Sequence, residues 1–235
     1  MATYKGIEYL RKKLAYKRQR VLTRYGFYEM KNAVKDLGIS TPDELEWLNA
    51  TLGWCGKAVD SLADRLVFQK FIDDNFDLGE IFQMNNPDIM FDSAILSALI
   101  SSCCFIYISA DDNGYPRLQV IDGGNATGIL DPITGLLTEG YAVLERNNSG
   151  NPILEAYFVA GRTEYIREGN KNIQIVKNAA PYPLLVPIVY RPDAIRPFGR
   201  SRISRACMSI VASAVRTVKR SEISAEFYSF PQKYI

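Results

Sequence analysis

Apolar residues recur along this chain with two periods, about 3.6 near both ends and about 2 through the middle, and the change of period outlines the fold. Over residues 4 to 25, Leu10, Leu14 and Val21 stand four and seven apart, on one side of a helix. The rest of that helix is basic: Lys5, Arg11, Lys12, Lys13, Lys17, Arg18, Arg20 and Arg24 oppose Glu8 alone. A second helix has a start signal at Thr41-Pro42-Asp43-Glu44, where Thr41 caps, Pro42 suits the first turn and Glu44 completes a capping box. Leu45, Leu48, Leu52, Cys55, Val59, Leu62 and Leu66 then follow at spacings of three and four, a stripe that demands burial. Gly53 and Gly56 in its middle predict close packing or a break.

Asn86-Pro87 opens a third helix through Ile89, Ala94, Leu96 and Leu99, which runs into a strand, Cys103 to Ala110, apolar on both faces. Turn-forming clusters follow at 111–114, 122–124, 131–135 and 147–152, and at Gly161 and Gly169. Between them Arg117–Ile121, Tyr141–Arg146, Ile153–Val159, Glu164–Arg167 and Ile173–Val176 are each short enough to be strands. Short strands with close turns predict an antiparallel meander, so the expected class is α+β, helices flanking one sheet. Residues 179 to 199 hold five prolines and predict an extended connection.

A last helix is expected from Gly199 onward, with Ser201 as its cap. At about 100° per residue, Ile203, Cys207, Ile210, Val211, Ala214 and Val218 share one arc. Arg202, Arg205, Arg216, Lys219 and Arg220 share another, nearly opposite, with Ser209 beside them. Ile223 and Phe227 then rotate onto the basic side, which predicts a second contact surface. Pro231 stops the helix, and Gln232 to Ile235 read as a strand awaiting a partner beyond the segment. The organisation expected is a helical region over 1–86, a sheet region over 87–198, and a helix with the start of a strand over 199–235.

Composition narrows the chemistry. With 47% hydrophobic residues, the 235-residue chain is expected to fold, and its net charge of +2 makes it no general polyanion binder. Any nucleic-acid contact must come from a local basic face. Histidine is absent, which excludes His-based triads and His-ligated zinc or haem within these residues. Cys55, Cys103, Cys104 and Cys207 form no CxxC pair, so a reducing compartment is expected. No window reaches the roughly 18 apolar residues of a membrane span, and no membrane partner is expected.

Gly-rich and acidic motifs also fall short of catalysis. Gly123, Gly124 and Gly128 do not space as a phosphate-binding loop, and Gly199-Arg200-Ser201-Arg202-Ile203 is only the first half of a nucleophile elbow. Asp111, Asp112 and Asp122 sit in turn sequences, which favours turn formation over a metal site. No cofactor and no metal are expected.

The segment GRSRISRACMSIVASAVRTVKRSEISAEFYSFPQKYI resembles the portal proteins of tailed bacteriophages in its Gly-Arg-Ser turn, long Ala-rich helix, terminal aromatic cluster and Pro-Gln-basic exit. Four further stretches are similar to that family, in family order. YPLLVPIVYRPDAIRPFGRS resembles its Val-Pro strand, GWCGKAVDSLADRLVFQKF a helix ending in Arg-Leu, and SALISSCCFIYISADDNGYPRLQVID with ILDPITGLLTEGYAVLER its central sheet. The resemblance covers the N-terminal half of such a protein and implies a wing-like fold with a DNA-proximal loop, part of the stem and the crown supplied by a further half.

It also implies a structural, non-enzymatic ring subunit, typically a dodecamer, at one capsid vertex of the virion, assembled in host cytoplasm. The ring would pass double-stranded DNA without sequence specificity and bind a terminase motor, a head–tail adaptor and the major capsid or scaffold protein. Arg202, Arg205, Arg216, Lys219 and Arg220 are the candidate face for DNA or a neighbouring subunit, and Arg11, Lys12, Lys13, Lys17, Arg18 and Arg20 a secondary basic face. The alternatives are a metal-dependent DNA-processing enzyme and a capsid-associated adaptor protein.

Overall fold

The computed structural model describes residues 4–31, 50–72, 76–167 and 172–229. Its helices are α1 (Ile7–Tyr28), α2 (Trp54–Ala63), α3 (Leu78–Gln83), α4 (Pro87–Ser101) and α5 (Arg205–Ser229). Its strands are β1 (Cys103–Ala110), β2 (Pro116–Ile121), β3 (Ala126–Leu130), β4 (Leu137–Arg146), β5 (Pro152–Val159), β6 (Arg162–Arg167), β7 (Asn172–Lys177) and β8 (Leu185–Val189). The class is α+β, with every strand pair antiparallel.

The strands form two sheets where one was expected. A five-stranded meander runs β3-β4-β5-β6-β7, and a three-stranded sheet has the order β2-β1-β8. The Pro-rich connection supplies β8, which pairs with β1 and sets Pro187 opposite Phe105. A proline with no N–H to give is tolerated there because β8 is an edge strand. Strand β3 escaped the sequence pattern, since Ala126-Thr127-Gly128 has no alternation to show.

The period-two pattern explains the layering. Cys103, Phe105 and Tyr107 of β1 face the meander and pack with Ala142, Ala156 and Phe158, while Cys104 faces Ala94 and Ala98 of α4. On the meander's other face Tyr141, Val143, Tyr157 and Val159 receive Leu10 and Leu14 of α1. The order through the molecule is therefore α1, five-stranded sheet, three-stranded sheet, α4. Such a β1, covered by a sheet on one face and a helix on the other, is apolar on both.

Helix α1 buries Leu10, Leu14 and Val21, the three positions its spacing singled out. Its far end leaves the meander and reaches α4, where the Tyr25 and Ser97 hydroxyls lie 3.0 Å apart. Helix α2 is shorter than the predicted stripe. It begins after Gly53 and ends at Ala63, so Leu52 and Leu66 are not helical, while Cys55 and Val59 are buried. The capping box at 41–44, with Leu45 and Leu48, lies outside the described residues, as do Pro231 and 232–235.

Asn85, just after α3, closes one sheet edge. Its side-chain oxygen accepts from the Leu118 N–H (2.9 Å) and its amide donates to the Pro116 carbonyl (3.0 Å), imitating a further strand beside β2.

Candidate functional site

Helix α5 is set by the turn before it. Gly199 has φ +71°, and a Cβ there would lie 2.1 Å from the Tyr190 carbonyl oxygen, so only glycine fits. Arg200 pairs with Asp193 at 2.5 Å, and that cation together with backbone N–H groups of 195 and 196 holds the carboxyl below its ordinary range. The chain then binds the end of α4: the Arg202 N–H donates to the Leu99 carbonyl (2.8 Å) and the Ser201 hydroxyl to the Ile100 carbonyl (2.6 Å). Ser201 therefore closes the C-terminus of α4 instead of capping the last helix. That cap is Ser204, whose oxygen accepts from the Cys207 N–H at 3.1 Å.

Because the helix starts at Arg205, Arg202 and Ile203 precede it. The Arg202 guanidinium donates to the Ala58 carbonyl of α2 at 3.2 Å, which makes it a tether between elements. Ile203 is buried as expected, but the core stripe of α5 is Cys207, Met208, Val211 and Val215, against Cys55, Val59, Leu99 and Ile100. Ile210, assigned to the core by the wheel, is 61% exposed. The wheel erred because it sorted residues by type alone, whereas packing on Cys55, Val59, Leu99 and Ile100 turns Met208 inward and leaves Ile210 outside.

Cys55 and Cys207 bring their sulfurs to 3.4 Å. Burial and the Cys207 neighbour push the Cys55 thiol up to about 12, so it stays protonated near neutrality.

Over its 25 residues α5 extends about 37 Å. Its contacts with the apolar cluster run from Cys207 to Val215, and Tyr228 near its end is 86% exposed. Arg205 and Arg220 are exposed, and Arg216 donates to Ser213 Oγ at 3.1 Å. Among the described residues these three arginines form no ion pair. Lys219 is partly buried, Ile223 too, and the Phe227 side chain lies outside the described residues. The last helix thus presents charge and apolar surface together.

The secondary basic face is divided differently. Arg11 holds Glu155, Lys13 donates to the Gly128 carbonyl (2.7 Å), Lys17 reaches Cys103 Sγ (3.1 Å), and Arg18 binds Asn125 (3.1 Å). Lys13 also stands 4.8 Å from the Phe198 ring centre, and burial together with Lys17 and Lys5 lowers its pKa. Lys12 and Arg20 remain exposed, Arg20 stacked over Tyr16. Four of the six fasten α1 to the sheets.

What they fasten to was missed in the sequence. Glu139-Gly140-Tyr141 on β4 and Glu155-Ala156-Tyr157 on β5 repeat one Glu-X-Tyr pattern on paired strands. The Tyr157 hydroxyl donates to Glu139 (2.7 Å), and the Tyr141 hydroxyl to Glu155. Glu139, 1% exposed, also accepts the N–H groups of Lys5 (2.7 Å) and Gly6 (2.9 Å) and so caps α1 from the sheet. Burial and their glutamate partners raise both tyrosine pKa values.

Asp111 accepts the N–H groups of Asn113 and Tyr115, and Asp122 those of Gly124 and the Asn125 side chain, so both shape turns. Among the described residues no three Cys, Asp or Glu side chains gather as a metal site, and no helix is long and apolar enough to cross a membrane. No protein-family model and no curated protein matches the chain.

Proposed function

We propose that this chain is a structural subunit of a tailed-phage portal ring, placed at one capsid vertex of the virion as the channel for double-stranded DNA. The observation that supports this reading best is α5: a 25-residue helix fastened at its start to α2 and α4, then extending beyond its own core with cations and apolar residues on display. A helix split in this way is stable when a partner covers it. The Gly-Arg-Ser turn and Val-Pro strand that liken the chain to portals are the parts that aim α5: Gly199 fits only as glycine, and β8 leads into it.

In this role the work is mechanical and electrostatic. A ring that lets DNA slide uses weak phosphate contacts without base readout, repeated by symmetry about the axis. The same ring would offer its rim to a terminase motor, a head–tail adaptor and the capsid or scaffold protein.

Electron microscopy of the purified protein tests the reading. Closed rings with an axial opening, typically of twelve copies, are the expected result. A uniformly monomeric population would overturn it, and so would magnesium-dependent cleavage of plasmid DNA by the purified chain.

A further inference from the structure

The net charge of +2 hides a segregation. Residues 71–116 carry eight carboxylates and no Lys or Arg, whereas residues 194–221 carry seven Lys and Arg and no carboxylate. The fold sets the described carboxylates around the start of α4 and the beginning of the basic segment at its end. Asp77, Glu80, Asp88 and Asp92 are exposed on α3, its flank and the first turns of α4. The basic segment is bound to the last turn of α4 through Ser201 and Arg202. The 15 residues of α4 span about 22 Å between them. Among the described residues no ion pair joins the two surfaces.

Both surfaces also expose apolar side chains. Ile89 and Met84 lie on the acidic side, 57% and 47% exposed, and half-buried Ile223 lies on the basic side of α5. A groove of about 260 Å³, lined by Arg65, Leu66, Val67, Phe68, Phe91 and Ile95, opens beside α4. Apolar surface bordered by polar and charged groups is the make-up of a protein interface. A DNA duplex would meet Arg216 and Arg220 but would offer nothing apolar to Ile223, which shares their side of α5.

We infer that the basic face of α5, through Arg216 and Arg220, docks against the acidic α3–α4 surface of a second copy of this chain, Asp88 and Asp92 included. This rests on the ring reading and names the two surfaces that would meet in it. Two different patches make a head-to-tail contact, and a contact of that kind repeats into a closed ring or a filament, not into a twofold dimer. Opposite charge speeds docking and fixes register, and Ile223 and Ile89 add the apolar area.

A charge-swap experiment decides it, read by light scattering and native mass spectrometry of the 235-residue protein. Arg216→Glu with Arg220→Glu, and separately Asp88→Lys with Asp92→Lys, should each abolish self-association. Mixing the two variants should restore hetero-association, which only folded proteins can do. Self-association should also fall as salt rises. If both variants associate like wild type, the inference is overturned and the ring reading stands. If wild type itself is monomeric, both fall. If the arginine variant keeps its assembly but loses binding to a DNA duplex, the face serves DNA and the inference is wrong.

Discussion

Tyr141 and Tyr157 stand directly opposite each other on β4 and β5, and each donates its hydroxyl to the glutamate diagonal to it on the other strand. The arrangement is reciprocal because the strands are antiparallel and each carries Glu two residues before Tyr. Helix α1 docks on this clasp: Glu139 takes the N–H groups of Lys5 and Gly6 that lead into it, and Glu155 takes Arg11. The basic helix is thereby positioned by buried carboxylates, which leaves few of its cations for any other partner.

Glu139→Gln should lower stability by roughly 1–3 kcal/mol, because one of its oxygens becomes an amide donor facing backbone N–H groups. Hydrogen exchange should localise the damage: the Lys5 and Gly6 amides lose protection while β1 keeps its own. Unchanged exchange at those two amides would refute the capping role.

Arg11 binds Glu155 through two nitrogens, at 3.1 and 2.5 Å, and although burial opposes it, that pairing raises the Arg11 pKa. Arg11→Ala strands a buried carboxylate and should cost about 3 kcal/mol in urea unfolding. Arg11→Met with Glu155→Leu should cost less than the sum of the single changes, with a coupling of about 1–2 kcal/mol. Additive losses would mean that the pair contributes nothing of its own.

Asn85→Ala should destabilise by roughly 2 kcal/mol and promote aggregation, since it leaves the Leu118 N–H without its acceptor and opens the β2 edge. Asn85→Asp keeps the acceptor and loses the donor to Pro116, so it should recover only part of the loss. Thermal melts with light scattering separate the two effects.

Stability should fall as pH rises past about 9. Burial raises Cys55 and Cys104 from an ordinary 9.0, and Tyr25 and Tyr28 from 10.0, each to about 12. A raised pKa means the native state holds protons that the unfolded chain releases, so this stabilisation is intact below about 9 and lost towards 12. Cys104→Ala should flatten the decline in urea midpoints measured between those limits. An unaltered slope would show that the thiol takes no part.

Local pattern made some elements legible. The helix at α1, the Asn86-Pro87 start of α4 and the junction into β1 follow from apolar spacing and a proline in the first turn, which are properties of a few neighbouring residues. Other features lack a local signal. Ala126–Leu130 has no alternation, and the Glu-X-Tyr repeat gains meaning only when β4 pairs with β5. The basic residues of α5 were found from the wheel, but their surroundings were not, because the rotation of a helix is set by what it packs against. Ile210 and Met208 exchanged places for that reason.

By itself the sequence determined the α+β class, the apolar stripe of α1, the lack of any histidine chemistry and the concentration of cations in the last helix. Only the tertiary structure decided which cations are in use. Arg11, Lys13, Lys17, Arg18 and Arg202 bind carboxylate, carbonyl, thiol or amide groups of the same chain, whereas Arg205, Arg216 and Arg220 stand outside every described ion pair. The reason is physical: charge is a property of a residue, but a partner is a property of distance, and distance between residues a hundred positions apart exists only once the sheets and helices have packed.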